Sequence, residues 1–205
     1  MTLAETRTAQ TSAVEADFAA ARRAMIDSQL RTSGVNTAFV LERMSAVARE
    51  AHVPEGARGV AYMDRGIAFD GGGHIAAPLF YGMALQEARP GPSDEVLVVD
   101  GGSGYLPALL EPLVKSVKVI TPEQALGSLR GTFSLILIDG AVEQFPDTLG
   151  RRLAEDGRVV TGLVSSGVTR LAIGRPAGGA IGWLRLAEIG IPRMRQFDAP
   201  KRWSF

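Results

Sequence analysis

Apolar and polar positions alternate along this chain in two different periods. Val96–Val99, Val117–Ile120, Phe133–Asp139 and Gly157–Val164 are short runs rich in β-branched residues and read as strands, the third in the style of a strand buried on both faces. Val168–Ile173 and Trp183–Ile189 are two further strand candidates with glycine-rich turns between them. Helical spacing appears at Val14, Phe18, Ala21, Met25 and Leu30, closed by Gly34 in a position suited to a left-handed C-terminal residue. Asn36 opens a second helix with Phe39, Val40, Met44 and Val47 on one face, and Val53-Pro54 stops it. Helical segments are also predicted over Ile75–Ala88, Leu106–Val114 and Glu143–Leu153. Residues 1–13 are polar, small and aperiodic and read as a disordered lead. The triple glycine after Asp70 predicts a hairpin or an open loop.

Strands alternating with helices predict an α/β fold: a doubly wound, mostly parallel, Rossmann-like sheet with an N-terminal helical extension. Residues 14–205 then form one domain, with a helical and loop region over 14–92 and the sheet over 93–205. Residues 101–132 alone separate the strand ending at Asp100 from the strand starting at Phe133. A parallel crossover needs roughly a dozen residues or more, so two crossovers and one strand fit that span. The sheet is therefore expected to lack one βα unit. The edge this exposes could be covered by a second copy of the chain, a homodimer.

Composition narrows the chemistry. The 205 residues carry 22 Lys plus Arg against 22 Asp plus Glu, and this balance argues against a nucleic-acid partner. It also leaves little repulsion to oppose self-association. With no cysteine there is no disulfide, thiolate metal site or cysteine nucleophile. No apolar run is long enough to span a bilayer and the first residues lack a signal-peptide core, so no membrane partner is expected and a cytoplasmic location is the default.

The most informative stretch is Glu95-Val-Leu-Val-Val-Asp-Gly-Gly-Ser-Gly-Tyr105. A buried strand feeding a glycine-rich turn and then a helix brings backbone N–H groups close to a nucleotide. Here Asp100 stands at the first glycine of the G-x-G-x-G spacing, while Gly102 and Gly104 keep the period.

Met25-Ile-Asp-Ser-Gln-Leu-Arg-Thr-Ser-Gly-Val-Asn36, Val40-Leu-Glu-Arg-Met44, His52-Val-Pro54 and Ala61-Tyr-Met-Asp-Arg65 together resemble the N-terminal region of protein-L-isoaspartate O-methyltransferases. The resemblance continues through Ile75-Ala-Ala-Pro78 and Gly104-Tyr105, then through Phe133–Ala141 and Gly157–Gly162. It implies S-adenosylmethionine as cofactor, isoaspartyl peptides or proteins as substrate, and methylation of the isoaspartyl α-carboxyl as reaction. It further implies a cofactor site at Asp100, Gly101, Gly102, Ser103, Gly104 and Tyr105, with Thr121 or Glu123 on the ribose side. The substrate loop would be Ala76, Ala77, Pro78 and Leu79. Departures fall in these places. Val98 and Asp100 stand where the family has an acidic residue and a glycine, Thr121 where it has a ribose-binding acid, and Ala76 where it has the active-site hydroxyl. The missing unit is either the one that contacts adenine or the ribose-side unit itself. Asp64-Arg65 and Phe80-Tyr81 remain compatible with the family.

Several residues have both a chemical and a structural reading. Asp100 could contact a ligand or simply make an Asx turn. Asp139, at a strand end, could hold a metal or a substrate amine, or close a turn or cap a helix. His52 sits among apolar residues and reads as structural. His74 could act as a general base or be a solvated loop residue.

Overall fold

The computed structural model describes the backbone of residues 3–200 and the side chains of residues 14–200. The first helix, α1 (Leu3–Met25), runs on through a π turn at Ile26–Leu30 and a 3-10 turn at Arg31–Ser33. The lead expected over 1–13 is thus helical in its backbone from Leu3, and its first two residues lie outside the described ones. Gly34 ends the segment at φ 89°, as its spacing predicts. The second helix, α2 (Ala38–Ala46), has Thr37 rather than Asn36 at its N-cap position, without a side-chain cap bond. The reason is long-range. The Gln86 side-chain oxygen accepts from the Asn36 and Thr37 N–H groups and from the Thr37 hydroxyl, at 3.2, 3.4 and 2.9 Å.

The triple glycine closes a hairpin between β1 (Ile67–Phe69) and β2 (Gly73–Ile75), with Gly71 and Gly72 at positive φ. Pairing with β1 keeps residues 73–75 extended, so α3 (Pro78–Ala88) starts at Pro78 and not at Ile75. Proline at the first helical position suits that start, since its missing N–H would have no partner there anyway.

The main sheet has six strands in the order β4-β3-β5-β6-β7-β8. β3 (Glu95–Val99) lies between β4 (Ser116–Ile120) and β5 (Phe133–Val142), parallel to both, and β6 (Leu153–Ser165) continues the parallel part. β7 (Val168–Ala177) and β8 (Ala180–Glu188) then add antiparallel strands through two-residue turns, Ser166-Gly167 and Gly178-Gly179, with positive φ throughout. Such turns match the twist of a hairpin. β4 pairs directly with β3 and forms one edge of the sheet, with no second strand beyond it among the described residues. The helix expected over Glu143–Leu153 shrinks to α6 (Asp147–Gly150), because β5 extends to Val142 and β6 begins at Leu153.

Strand alternation divides the core in two. Val96, Val98, Leu135 and Leu137 face α3 and α4 (Tyr105–Leu110) together with the N-terminal helices. Leu97, Val99, Ile136 and Ile138 face the single-turn helices α5 (Pro122–Ala125) and α6 and the C-terminal Met194 and Phe197. The sheet is covered on both faces, one far more heavily than the other. No helix of the described residues is long and apolar enough to cross a membrane.

The N-terminal end of β3 is tied to the rest by Arg158. Its guanidinium donates to both carboxylate oxygens of Asp94, at 2.7 and 3.1 Å, and to the Ala88 and Arg89 carbonyls. Ser134 Oγ and the Gly91 N–H also donate to Asp94. Burial works against the Asp94 charge, but these donors outweigh it and hold its carboxyl down at about 2 instead of 3.8. A depressed acid contributes stability above its unfolded pKa and loses it as pH falls through the folded one. Asp94 should therefore contribute about 1–2 kcal/mol at neutral pH, lost between about pH 4 and pH 2. Arg158→Ala should cost about 2–4 kcal/mol in urea unfolding and remove that acid limb; an unchanged acid limb would count against the network.

Candidate functional site

The crevice that α/β sheets use for ligands lies where successive connections leave in opposite directions. In this chain that point is between β3, which feeds β4 on one side, and β5 on the other. The turn after β3 carries the backbone N–H groups a ligand would meet there. Two of them are answered by the chain itself. Asp100 Oδ2 accepts from the Gly102 and Gly104 N–H groups at 2.8 and 3.1 Å, and Oδ1 accepts from Gly104 at 3.2 Å. Gly102 and Gly104 stand at φ 101° and 66°, which glycine adopts without strain. Asp100 therefore makes the Asx-type turn.

Both histidines of the chain hold this turn. His52 Nδ1 lies 2.9 Å from the Ser103 carbonyl, behind the turn. His74 reaches it from the front. Its backbone N–H donates to the Gly101 carbonyl at 2.8 Å, and its Nε2 lies 2.6 Å from the Asp139 carbonyl. A carbonyl only accepts, so both ring nitrogens in these contacts carry the proton. Burial lowers the His74 pKa, which keeps the ring neutral. The solvated reading of His74 is thus replaced by a half-buried ring that bridges the C-terminal ends of β3 and β5.

Beneath the bridge lies a buried polar cluster. Arg49, fully buried, donates to the Ala61 and Ala76 carbonyls at 2.6 and 2.5 Å, and its guanidinium lies over the Tyr81 and Tyr105 rings. The Tyr81 hydroxyl accepts from the Ala76 N–H at 3.0 Å. The Ala76 peptide is thereby clamped at both ends. The Tyr105 ring packs edge-on against Tyr81 and His52, and its buried hydroxyl has no hydrogen-bond partner among the described residues. Asp139 is neither turn nor cap: it lies inside β5, fully buried, and neither carboxyl oxygen has such a partner. Burial pushes that carboxyl up to about 7, and the Tyr81 hydroxyl pulls the other way without cancelling the rise. Arg49 carries no motif, so sequence reasoning passes over it, whereas Tyr81 and Tyr105 are visible in the Phe80-Tyr81 pair and at the end of the Gly-rich turn.

The remaining predicted residues are scattered. Thr121 caps α5 in a reciprocal box with Gln124. Glu123 is exposed and accepts from Gln196 at 2.8 Å. Ala76, Ala77 and Pro78 are buried and Leu79 half-buried; Ala77 and Leu79 border a cleft of about 600 Å³ with Asp64, Arg65, Thr169 and Ile191. Among the described residues no three His, Asp or Glu side chains gather as a metal site.

A Gly-rich turn at the switch point of a mixed sheet, with a helical front and a clamped loop beside it, defines a Rossmann-like α/β domain. The family model for protein-L-isoaspartate (D-aspartate) O-methyltransferase matches residues 20–127, and the chain belongs to that family. A protein-L-isoaspartate O-methyltransferase of Roseiflexus sp. is 32% identical over 70% of this chain and 78% of its own length. One from Methylorubrum extorquens is 31% identical over 89% and 86%. Among solved structures, a putative Plasmodium falciparum protein-L-isoaspartate O-methyltransferase, in complex with S-adenosyl-L-homocysteine, superposes with a TM-score of 0.67 at 17% identity. That match covers 87% of this chain and 98% of that one.

S-adenosylmethionine is the cofactor expected of this family, but the residues here do not fit it. Asp100 takes the turn's donors, His74 spans the crevice, and Thr121 and Glu123 are engaged elsewhere.

Asp139 gives a pH test of the buried cluster. An acid whose folded pKa is raised costs nothing below its unfolded pKa, 3.8, and destabilises increasingly up to about 7. Asp139→Asn should remove this, gaining on wild type by about 2–4 kcal/mol between pH of about 5 and about 8. Parallel stability profiles for the two proteins would contradict the buried carboxyl.

Proposed function

We propose that this chain is a protein-L-isoaspartate O-methyltransferase homologue that retains the family's peptide-binding side while its methyl-transfer step is lost or strongly reduced. One observation carries the reading: the cofactor crevice is bridged by the chain's own His74, whereas the cleft beside the substrate loop is open. That cleft presents exposed Asp64 and Arg65 beside Ala77 and Leu79, a setting suited to a peptide that bears a free carboxylate. The loss of a hydroxyl at Ala76 points the same way, as does the lack of a free carboxylate at the end of β4. Each missing carboxylate–ribose hydrogen bond costs about 1.5–3 kcal/mol, so two weaken cofactor binding by roughly two orders of magnitude or more.

A second reading, slow S-adenosylmethionine-dependent methylation of isoaspartyl peptides, is supported by the family match and by relatives of that name.

Titration calorimetry with S-adenosylmethionine and S-adenosylhomocysteine separates the two, followed by an isoaspartyl peptide methylation assay. The first reading expects no cofactor heat at millimolar ligand, no turnover above background, and binding of the isoaspartyl peptide in preference to its normal aspartyl counterpart. Micromolar cofactor binding with turnover would establish the second reading instead.

A further inference from the structure

The contact that closes the crevice is built from both sides. Gly73 and Gly101 face each other. A Cβ on Gly73 would come within 3.0 Å of the Gly101 carbonyl, and one on Gly101 within 2.7 Å of His74 Nε2 and 3.1 Å of the Asp139 carbonyl. Glycine at both positions is what lets the hairpin backbone lie against the turn, where His74 pairs with Gly102 as an isolated parallel bridge. The imidazole then crosses from one strand end to the other. Asp100 completes the closure from within the turn, its carboxylate on the Gly102 and Gly104 N–H groups. A free ligand with a carboxylate would need the same donors.

We propose that the β1–β2 hairpin is a built-in latch, in which His74 and the Asp100 carboxylate occupy the switch-point crevice in place of an adenosyl amino-acid ligand. The inference rests on the closed-crevice reading above and adds the two residues that keep the crevice shut. The hairpin leads through Ile75 into Ala76, whose peptide Arg49 and Tyr81 clamp, so the latch and the substrate loop are one continuous segment. Releasing His74 frees the crevice without breaking that clamp. If the closed form dominates, apparent affinity falls in proportion to the open fraction.

The test compares wild type with His74→Ala, Asp100→Gly and the double variant, using S-adenosylhomocysteine as the calorimetric probe and circular dichroism to verify folding. The double variant should bind at least about tenfold more tightly than wild type, the gain expected when about nine-tenths or more of the molecules are latched. Folded variants with wild-type affinity would overturn the latch. A second measurement covers variants that fail to fold: nitrogen NMR of the wild-type imidazole should show a fixed Nε2–H tautomer for His74. A His74 ring exchanging tautomers like a free imidazole would overturn the latch equally. Wild-type affinity alone judges the closed-crevice reading, whereas the ratio of variant to wild type judges the latch.

Discussion

Everything at the candidate site depends on how the backbone groups after β3 are satisfied. The turn must leave the sheet at a point where two parallel strands splay apart, and its N–H and C=O groups cannot be buried without partners. In this chain those partners are its own side chains. Asp100 answers Gly102 and Gly104, His52 meets the Ser103 carbonyl from behind, and His74 answers Gly101 with its backbone and Asp139 with its ring. A turn satisfied internally has little reason to take an external ligand.

The sheet follows the same economy. Without an outer βα unit, β4 becomes an edge strand, with Val119 about half exposed and Lys115 and Lys118 beside it. Lysine on an edge discourages pairing with another strand. The opposite end is extended by a meander through β7 and β8, whose two-residue turns need no helix. Helices therefore gather on one face. The heavy face carries the buried Arg49–Tyr81–Tyr105 cluster and the clamped Ala76 segment, while among the described residues the light face has α5, α6 and a C-terminal turn.

The relationship to isoaspartyl methyltransferases explains this architecture better than it explains the site. The helical front, the Gly-rich turn and the clamped loop all lie within the residues that the family model matches. Asp139 stands out: an ionisable group in a fully buried strand, pushed up to about 7 by burial that the nearby Tyr81 hydroxyl and Gly101 N–H only partly offset. Such a group is costly for stability alone, and it lies directly under the bridge that closes the crevice.

By itself the sequence determined the order of the strands, the single short strand between β3 and β5, and the family. These are encoded locally, in apolar periodicity, glycine placement and chain length between strands. The same logic placed the triple-glycine hairpin. What it left open was decided by contacts between residues far apart in the chain. Gln86 moved the start of α2 from Asn36 to Thr37. Pairing with β1 delayed α3, and extension of β5 consumed most of the helix expected from Glu143. His74 read as a loop residue until the hairpin laid it across β3 and β5, because the partner of its ring is a carbonyl 65 positions away. Backbone carbonyls carry no side-chain identity, so a contact made to one leaves no trace in the pattern of residues. Only the tertiary structure brings the His74 ring to the Asp139 carbonyl.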